Sequence, residues 1–254
     1  MRAETSDIEP QRLYVIGDIH GCADLLDNMI RDITKDLAAR PVPDSLVVTV
    51  GDYVDRGPDS RGVVNRLLRN PFPTRFVALK GNHEILLERF LHTPQTGESW
   101  RGVGGIETME SYGLPVRSLM RHKDYVAAAR ALAEAMPSAH FDFFASLRNS
   151  LTVGKYFICH AGVRPGVPLE QQSEADLLWI REPFLASVVD FGKVVVHGHT
   201  PVAHPEVLPN RINIDTGAFM TGRLTCAVLG EDEPRFMTVT SRSTANQPSA
   251  SART

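Results

Sequence analysis

The chain is poor in cysteine: Cys22, Cys159 and Cys226 are an odd three, with no CxxC spacing. That argues against a thiolate zinc site or a disulfide framework and points to a reducing cytoplasm. It also lacks a long apolar run. Nothing approaches the ~18 residues of a membrane span, and the start, MRAETSDIEP, has no cationic end followed by an apolar stretch, so it does not read as a signal peptide. No Lys/Arg-dense block stands out, and 27 basic residues against 30 acidic ones give a net charge of -3. A broad DNA-binding surface is therefore not expected, since affinity for a phosphate backbone needs clustered cations. What the 254 residues do have is 43% hydrophobic and 22% charged side chains, the balance of an ordinary globular protein.

The order of elements bounds the fold. Arg12 to Asp18 (RLYVIGD) and Ser45 to Asp52 (SLVVTVGD) are buried-strand runs that end in Gly-Asp, and Arg75 to Gly81 (RFVALKG) is a third strand stopped by glycine. Between the first two, Leu25, Met29, Ile33 and Leu37 recur every four residues from Cys22 to Ala39, and after the second, Gly62 to Arg69 reads as a short helix. Strand, helix, strand, helix, strand predicts a parallel sheet, with the three turns along its carboxyl edge, where such sheets bind ligands. From about 90 to 149 the pattern turns helical, with Asp124 to Met136 and Phe141 to Leu147 as its clearest helices; it reads as a cap or insertion, or as a plain helical half of the core. Strands return at Leu151 to Cys159, Lys193 to His197, Arg211 to Asp215, Leu224 to Leu229 and Arg235 to Val239, and predict a second, mixed or antiparallel sheet. The expectation is an α/β fold, a four-layer α-β-β-α sandwich of two mixed sheets in one domain over 10–240. Residues 241–254 (SRSTANQPSASART) should form a disordered tail.

Five short stretches follow predicted strands: Gly17 to Gly21 (GDIHG), Gly51 to Gly57 (GDYVDRG), Gly81 to Glu84 (GNHE), His160 to Gly162 (HAG) and Gly198 to Thr200 (GHT). Together they offer oxygen and nitrogen donors without sulfur, a set that suits manganese, iron, zinc or magnesium. A lone histidine at a strand end is usually structural. Five donor-bearing turns at one edge are a site.

In these stretches the chain resembles the calcineurin-like metallophosphoesterases of the phosphoprotein phosphatase type, whose signature GDxHG, GDxVDRG, GNHE it carries complete and in order. The resemblance runs from about Tyr14 to Gly217. It implies two divalent metal ions, manganese first among the candidates, with Asp18 and His20 on one, Asn82, His160 and His199 on the other, and Asp52 between them. A hydroxide held by the pair would attack phosphorus in line, without a phosphoenzyme intermediate. His83 would protonate the leaving oxygen, with Asp55 as its partner through one ring nitrogen, although a turn cap is an alternative for Asp55. Arg56 would hold phosphate oxygens in its planar fork. Arg181, in LLWIREPF, would do the same, or form a salt bridge near Glu182.

Other residues carry open alternatives. His197 is an outer-shell or a structural group, and Asp215 either supports a ligating histidine or caps a turn. Cys22 and Cys159 read as packing groups, and His92, His122, His140 and His204 as surface or core residues. By resemblance, Glu84 and Asp55 favour a serine/threonine protein phosphatase over a symmetrical diadenosine tetraphosphate hydrolase, whose third motif resembles GNHD, or another nucleotide or RNA-cap phosphohydrolase. A phosphoprotein or a small phosphorylated molecule is the expected partner.

Overall fold

The computed structural model describes residues 10–116, 123–230 and 233–241. The expected disordered tail thus lies, but for Ser241, outside the described residues.

One sheet opens with β1 (Arg12–Ile16), β2 (Ser45–Thr49) and β3 (Arg75–Ala78), parallel and in that order. The crossovers between them are α1 (Ala23–Ala39), which buries Leu25, Leu26, Met29 and Ile33, and α2 (Ser60–Leu67), whose N-cap Asp59 accepts the Gly62 N–H at 2.8 Å. Three parallel strands bring three carboxyl ends to one edge, as the spacing predicts. After β3 comes the helical block: α3 (Asn82–His92), α4 (Gly97–Arg101), α5 (Gly105–Ser111), α6 (Tyr125–Ala135) and α7 (Ser138–Ser146). Its Phe90, Trp100, Met109, Leu132 and Phe144 join one apolar cluster with α1 and with Tyr14, Ile16 and Val47 of the first sheet. The block therefore closes over the sheet's outer face.

The run Leu151 to Cys159, expected as one strand, is a hairpin of β4 (Ser150–Val153) and β5 (Tyr156–Cys159). Gly154, at φ 52°, allows the tight reversal between them, a turn that apolar content alone does not reveal. With β6 (Val194–His197), β7 (Glu206–Val207) and β8 (Arg211–Asn213) they form the second sheet, in the order β4-β5-β6-β8-β7. β5, β6 and β8 are parallel. The last two strands, β9 (Arg223–Leu229) and β10 (Arg235–Thr240), return to the first sheet, β9 antiparallel to β1, giving the order β10-β9-β1-β2-β3. Strand content was legible here, but sheet membership was not.

Between the sheets lies an apolar layer in which Leu13, Val15, Val48 and Ala227 of one face Leu151, Ile158, Val196 and Ile212 of the other. Outside the second sheet, Phe157, Cys159 and Val195 are covered by Leu177 of the short α8 (Glu174–Trp179) and by Ile180 and Phe184 beyond it. The result is the α-β-β-α layering expected from the sequence, with a thin fourth layer. Among the described residues, no helix is long and apolar enough to cross a membrane.

Candidate active site

All five turns meet at the carboxyl edge of the two sheets. Their close approach is backbone on backbone: Gly51 sits at φ 110°, and a Cβ there would lie 2.4 Å from the Gly81 nitrogen. Only glycine fits. The side chains that the turns present are themselves in the left-handed region, with φ of 44° at His20, 54° at Asp52, 69° at Asp55 and Arg56, and 66° at His199. Among the described residues, positive φ outside glycine otherwise occurs only at Asn70 and Lys123. Such conformations cost of order 1 kcal/mol or more each and persist where surrounding structure enforces them, as in binding and catalytic centres.

Asp52 stands at the middle. Its Oδ2 lies 3.3 Å from His20 Nε2 and 4.0 Å from His83 Nε2, and its Oδ1 lies 3.5 Å from His160 Nε2. His20, Asp52 and His83 form one buried group with ligand atoms close enough to share a cation, and Asp52, His160 and His199 form another. Asn82 joins the second, its Oδ1 2.8 Å from His160 Nε2 and 2.9 Å from His199 Nδ1. Asp18 points its Oδ2 at the His199 backbone N–H at 3.1 Å, and its Oδ1 is buried without a hydrogen-bond partner among the described residues.

These contacts fit dications. His20 and His160 direct Nδ1 at the Val54 and Val50 carbonyls at 2.9 and 3.1 Å, and since a carbonyl only accepts, the hydrogen of each neutral ring sits on Nδ1. Nε2 is then a bare lone pair turned to the centre. For His160 that lone pair faces Asn82 Oδ1, another acceptor, and lies 3.2 Å from His199 Nδ1, three atoms that a cation between them would gather. Burial holds His160 below the ordinary imidazole value and takes His199 down to about 3, helped by neighbouring imidazoles. Burial alone would raise Asp52, but His160, His83 and His20 hold it well below the usual carboxylate range. Asp18 moves the other way, driven up by burial and by the Asp215 and Asp52 charges. A positive ion is what the pair of buried carboxylates lacks.

His83 differs from His20 and His160. Its Nδ1 lies 2.7 Å from Asp55 Oδ2, not at a carbonyl. Burial would lower it, yet the Asp52 and Asp55 carboxylates outweigh that and raise it above the ordinary value. Arg56 is partly exposed, with its guanidinium carbon 4.7 Å above the Phe219 ring. Arg181 is exposed, makes no ion pair with Glu182, and its charge is felt at His199.

Of the residues left open, Asp215 accepts the Gly217 N–H at 2.8 Å, a turn bond. His197 is fully buried against Phe184, and its Nδ1 meets the Gly198 carbonyl at 3.0 Å. His140 is a core residue bonded to Tyr112 and Asn65, and His122 lies outside the described residues. The three cysteines are free and buried. Sequence reasoning missed Trp100, Thr108, Ser60 and Phe219, which lie in no recognised motif.

Residues 11–218 match the family described as calcineurin-like phosphoesterase. The chain belongs to that family. This metallophosphoesterase is 32% identical over 224 residues to serine/threonine-protein phosphatase 1 of Salmonella typhimurium, covering 85% of this chain and 91% of that one. It is 28% identical over 246 residues to the asymmetrical bis(5'-nucleosyl)-tetraphosphatase PrpE of Halalkalibacterium halodurans, covering 90% of this chain and 93% of that one. A crystal structure provisionally described as a diadenosine tetraphosphatase superposes with a TM-score of 0.66 at 22% identity, over 95% of this chain and 99% of that chain, which speaks to the fold alone. The tetraphosphatase relative is named for the asymmetrical reaction, whereas the alternative set beside the protein phosphatase expectation was the symmetrical one.

Proposed function

We propose that this phosphoesterase hydrolyses phosphomonoesters with two divalent cations, manganese being the first choice for an all-nitrogen and oxygen site, and that its substrates are phosphoserine and phosphothreonine side chains of proteins. The carrying observation is that Asp52 belongs to both donor groups while His83, with a carboxylate on its far nitrogen, stands beside it. Asp18 and His20 would hold one ion, Asn82, His160 and His199 the other, and Asp52 both. Bound there, the ions supply a nucleophile from water at neutral pH and offset the phosphate charge. Arg56 steadies the phosphate oxygens, with Arg181 as a second cation at the rim. Asp55 keeps the ring of His83 turned so that Nε2 carries a proton toward the departing oxygen.

The protein phosphatase reading draws support from the Salmonella relatives, both named serine/threonine-protein phosphatases. A dinucleoside tetraphosphate reading draws support from PrpE, whose match covers more of this chain. Glu84 no longer separates them by contact. It is fully buried and bonded to backbone N–H groups, so no substrate can meet it. The deciding experiment compares kcat/KM of the manganese-loaded protein on phosphothreonine peptides and on diadenosine tetraphosphate. A preference of tenfold or more for the tetraphosphate would overturn the phosphoprotein assignment, and inactivity on both and on aryl phosphate would overturn the enzyme mechanism.

A further inference from the structure

The helical block reaches the site through α4 and α5. Trp100 is 1% exposed, its ring stacked on Phe90 with centroids 4.5 Å apart and pressed by Gly105, where a Cβ would come within 2.3 Å of the indole. A packing tryptophan can leave its N–H at a backbone carbonyl or in water. This one donates to Asp55 Oδ2 at 2.9 Å, the oxygen that faces His83. Thr108 Oγ1 donates to the other oxygen, Oδ1, at 2.6 Å, and the same hydroxyl accepts the Asp55 backbone N–H at 2.8 Å. Ser60 Oγ, 3.1 Å from Thr108 Oγ1, accepts that N–H as well. The next residue is tied in the same way, because Arg56 N–H donates to the Gly104 carbonyl at 3.2 Å.

We infer that Trp100 and Thr108 are positioning residues for leaving-group protonation, acting through Asp55 on His83. An aspartate held only by His83 could turn about its last bond and let the imidazole swing. With Thr108 on one oxygen and Trp100 on the other, the carboxylate cannot turn, and a fixed Oδ2 fixes the ring and the direction of Nε2. Thr108 also bonds both ends of Asp55, which holds that residue in its left-handed backbone. The inference rests on the general-acid reading of His83 proposed above.

The test uses the manganese-loaded full chain, assayed on a phosphoserine peptide, whose alkoxide leaves poorly, and on p-nitrophenyl phosphate, whose phenolate leaves well. Trp100→Phe keeps a ring without the N–H, and Thr108→Val keeps the shape without the hydroxyl. For each, the alkyl-to-aryl kcat ratio is expected to fall about tenfold with KM little changed, and Thr108→Ser should restore it. In a His83→Ala background the ratio is already low, and neither change should lower it further. An unchanged ratio in Trp100→Phe, or an equal fall that persists without His83, overturns the inference. Should His83→Ala itself leave the ratio intact, the general-acid reading fails first, so the two failures are distinguishable. If a variant does not fold, the indole proton of Trp100 in the NMR spectrum of the wild type loaded with diamagnetic zinc serves instead: it should lie downfield and move upfield in Asp55→Asn, and its staying put overturns the contact.

Discussion

Glu84 Oε2 accepts the backbone N–H of Asp52 at 2.9 Å, so the third motif builds the second. The same carboxylate takes the N–H groups of Tyr53 at 2.8 Å and Gly81 at 2.8 Å, the latter closing the first turn of α3. Burial and the Asp52 charge push Glu84 up to about 7, while the Tyr53 and Gly81 donors pull it back. Glu84→Ala would strand the buried N–H groups of Asp52, Tyr53 and Gly81, and the longer one of Val54 at 3.4 Å, at about 1 to 3 kcal/mol for each well-made bond. The expected result is a melting temperature lower by about 10 °C, with loss of bound metal. Unchanged melting with altered substrate choice would return Glu84 to the role of a substrate discriminator.

His83→Ala should leave metal content near that of the wild type, because the Asp18, Asp52, Asn82 and histidine donors remain. Rates on poor leaving groups should fall about 10² to 10⁴-fold, and on aryl phosphates far less. Equal losses on both would mean that His83 binds a metal or the phosphate, which its 4.0 Å approach to Asp52 through Nε2 makes the competing role.

Asp52→Asn tests the shared ligand. The amide keeps the shape and removes the charge that three imidazoles surround. Metal analysis should show both ions weakened together, since one carboxylate belongs to both donor groups. A variant that retains two ions and full activity contradicts the bridge.

Chelation should abolish activity, and manganese should restore it. The stability arm is independent of turnover. A ligand that binds only the folded chain stabilises it by about 2.7 kcal/mol at a hundredfold excess over Kd. Dialysed protein should therefore melt several degrees higher on adding manganese, and a melting curve indifferent to every divalent ion counts against the metal centre.

Donor residues were legible because each sits in a short turn after an apolar run, where strand ends and glycines mark the edge of a sheet. Asp18, His20, Asp52, Asn82, His160 and His199 converge as that pattern implies. Their support was not legible. Trp100 lies 45 residues from Asp55 and Thr108 lies 53, in helices whose apolar spacing reads the same whether or not one N–H ends on a carboxylate. Strand partners were hidden for a related reason. A nearly continuous apolar run identifies β9 as buried but carries no information on which sheet receives it.

Far from the site, Asp36 ties α1 to the first sheet and gives a pH prediction. Its carboxylate accepts Tyr14 OH at 2.6 Å, Arg40 at 2.7 Å and Arg235 at 2.9 Å, with Arg12 at 3.7 Å. Burial works against the charge, but the Tyr14 and Arg235 hydrogen bonds and the arginine charges prevail and lower Asp36 below its ordinary value. A depressed folded-state value means stability that is present above the unfolded carboxyl value of about 4 and lost as pH falls through the folded one. Asp36→Asn removes a charged acceptor, a loss of about 2 kcal/mol at pH 7, read as a melting temperature lower by about 4 to 8 °C. The gap should begin to narrow as pH falls below about 4, where the unfolded carboxyl takes up its proton, and should close only below the depressed folded-state value, where the wild-type carboxyl is neutral as well. A gap that stays constant from pH 7 to 3 would show that the mutation acts through shape and not through this charge.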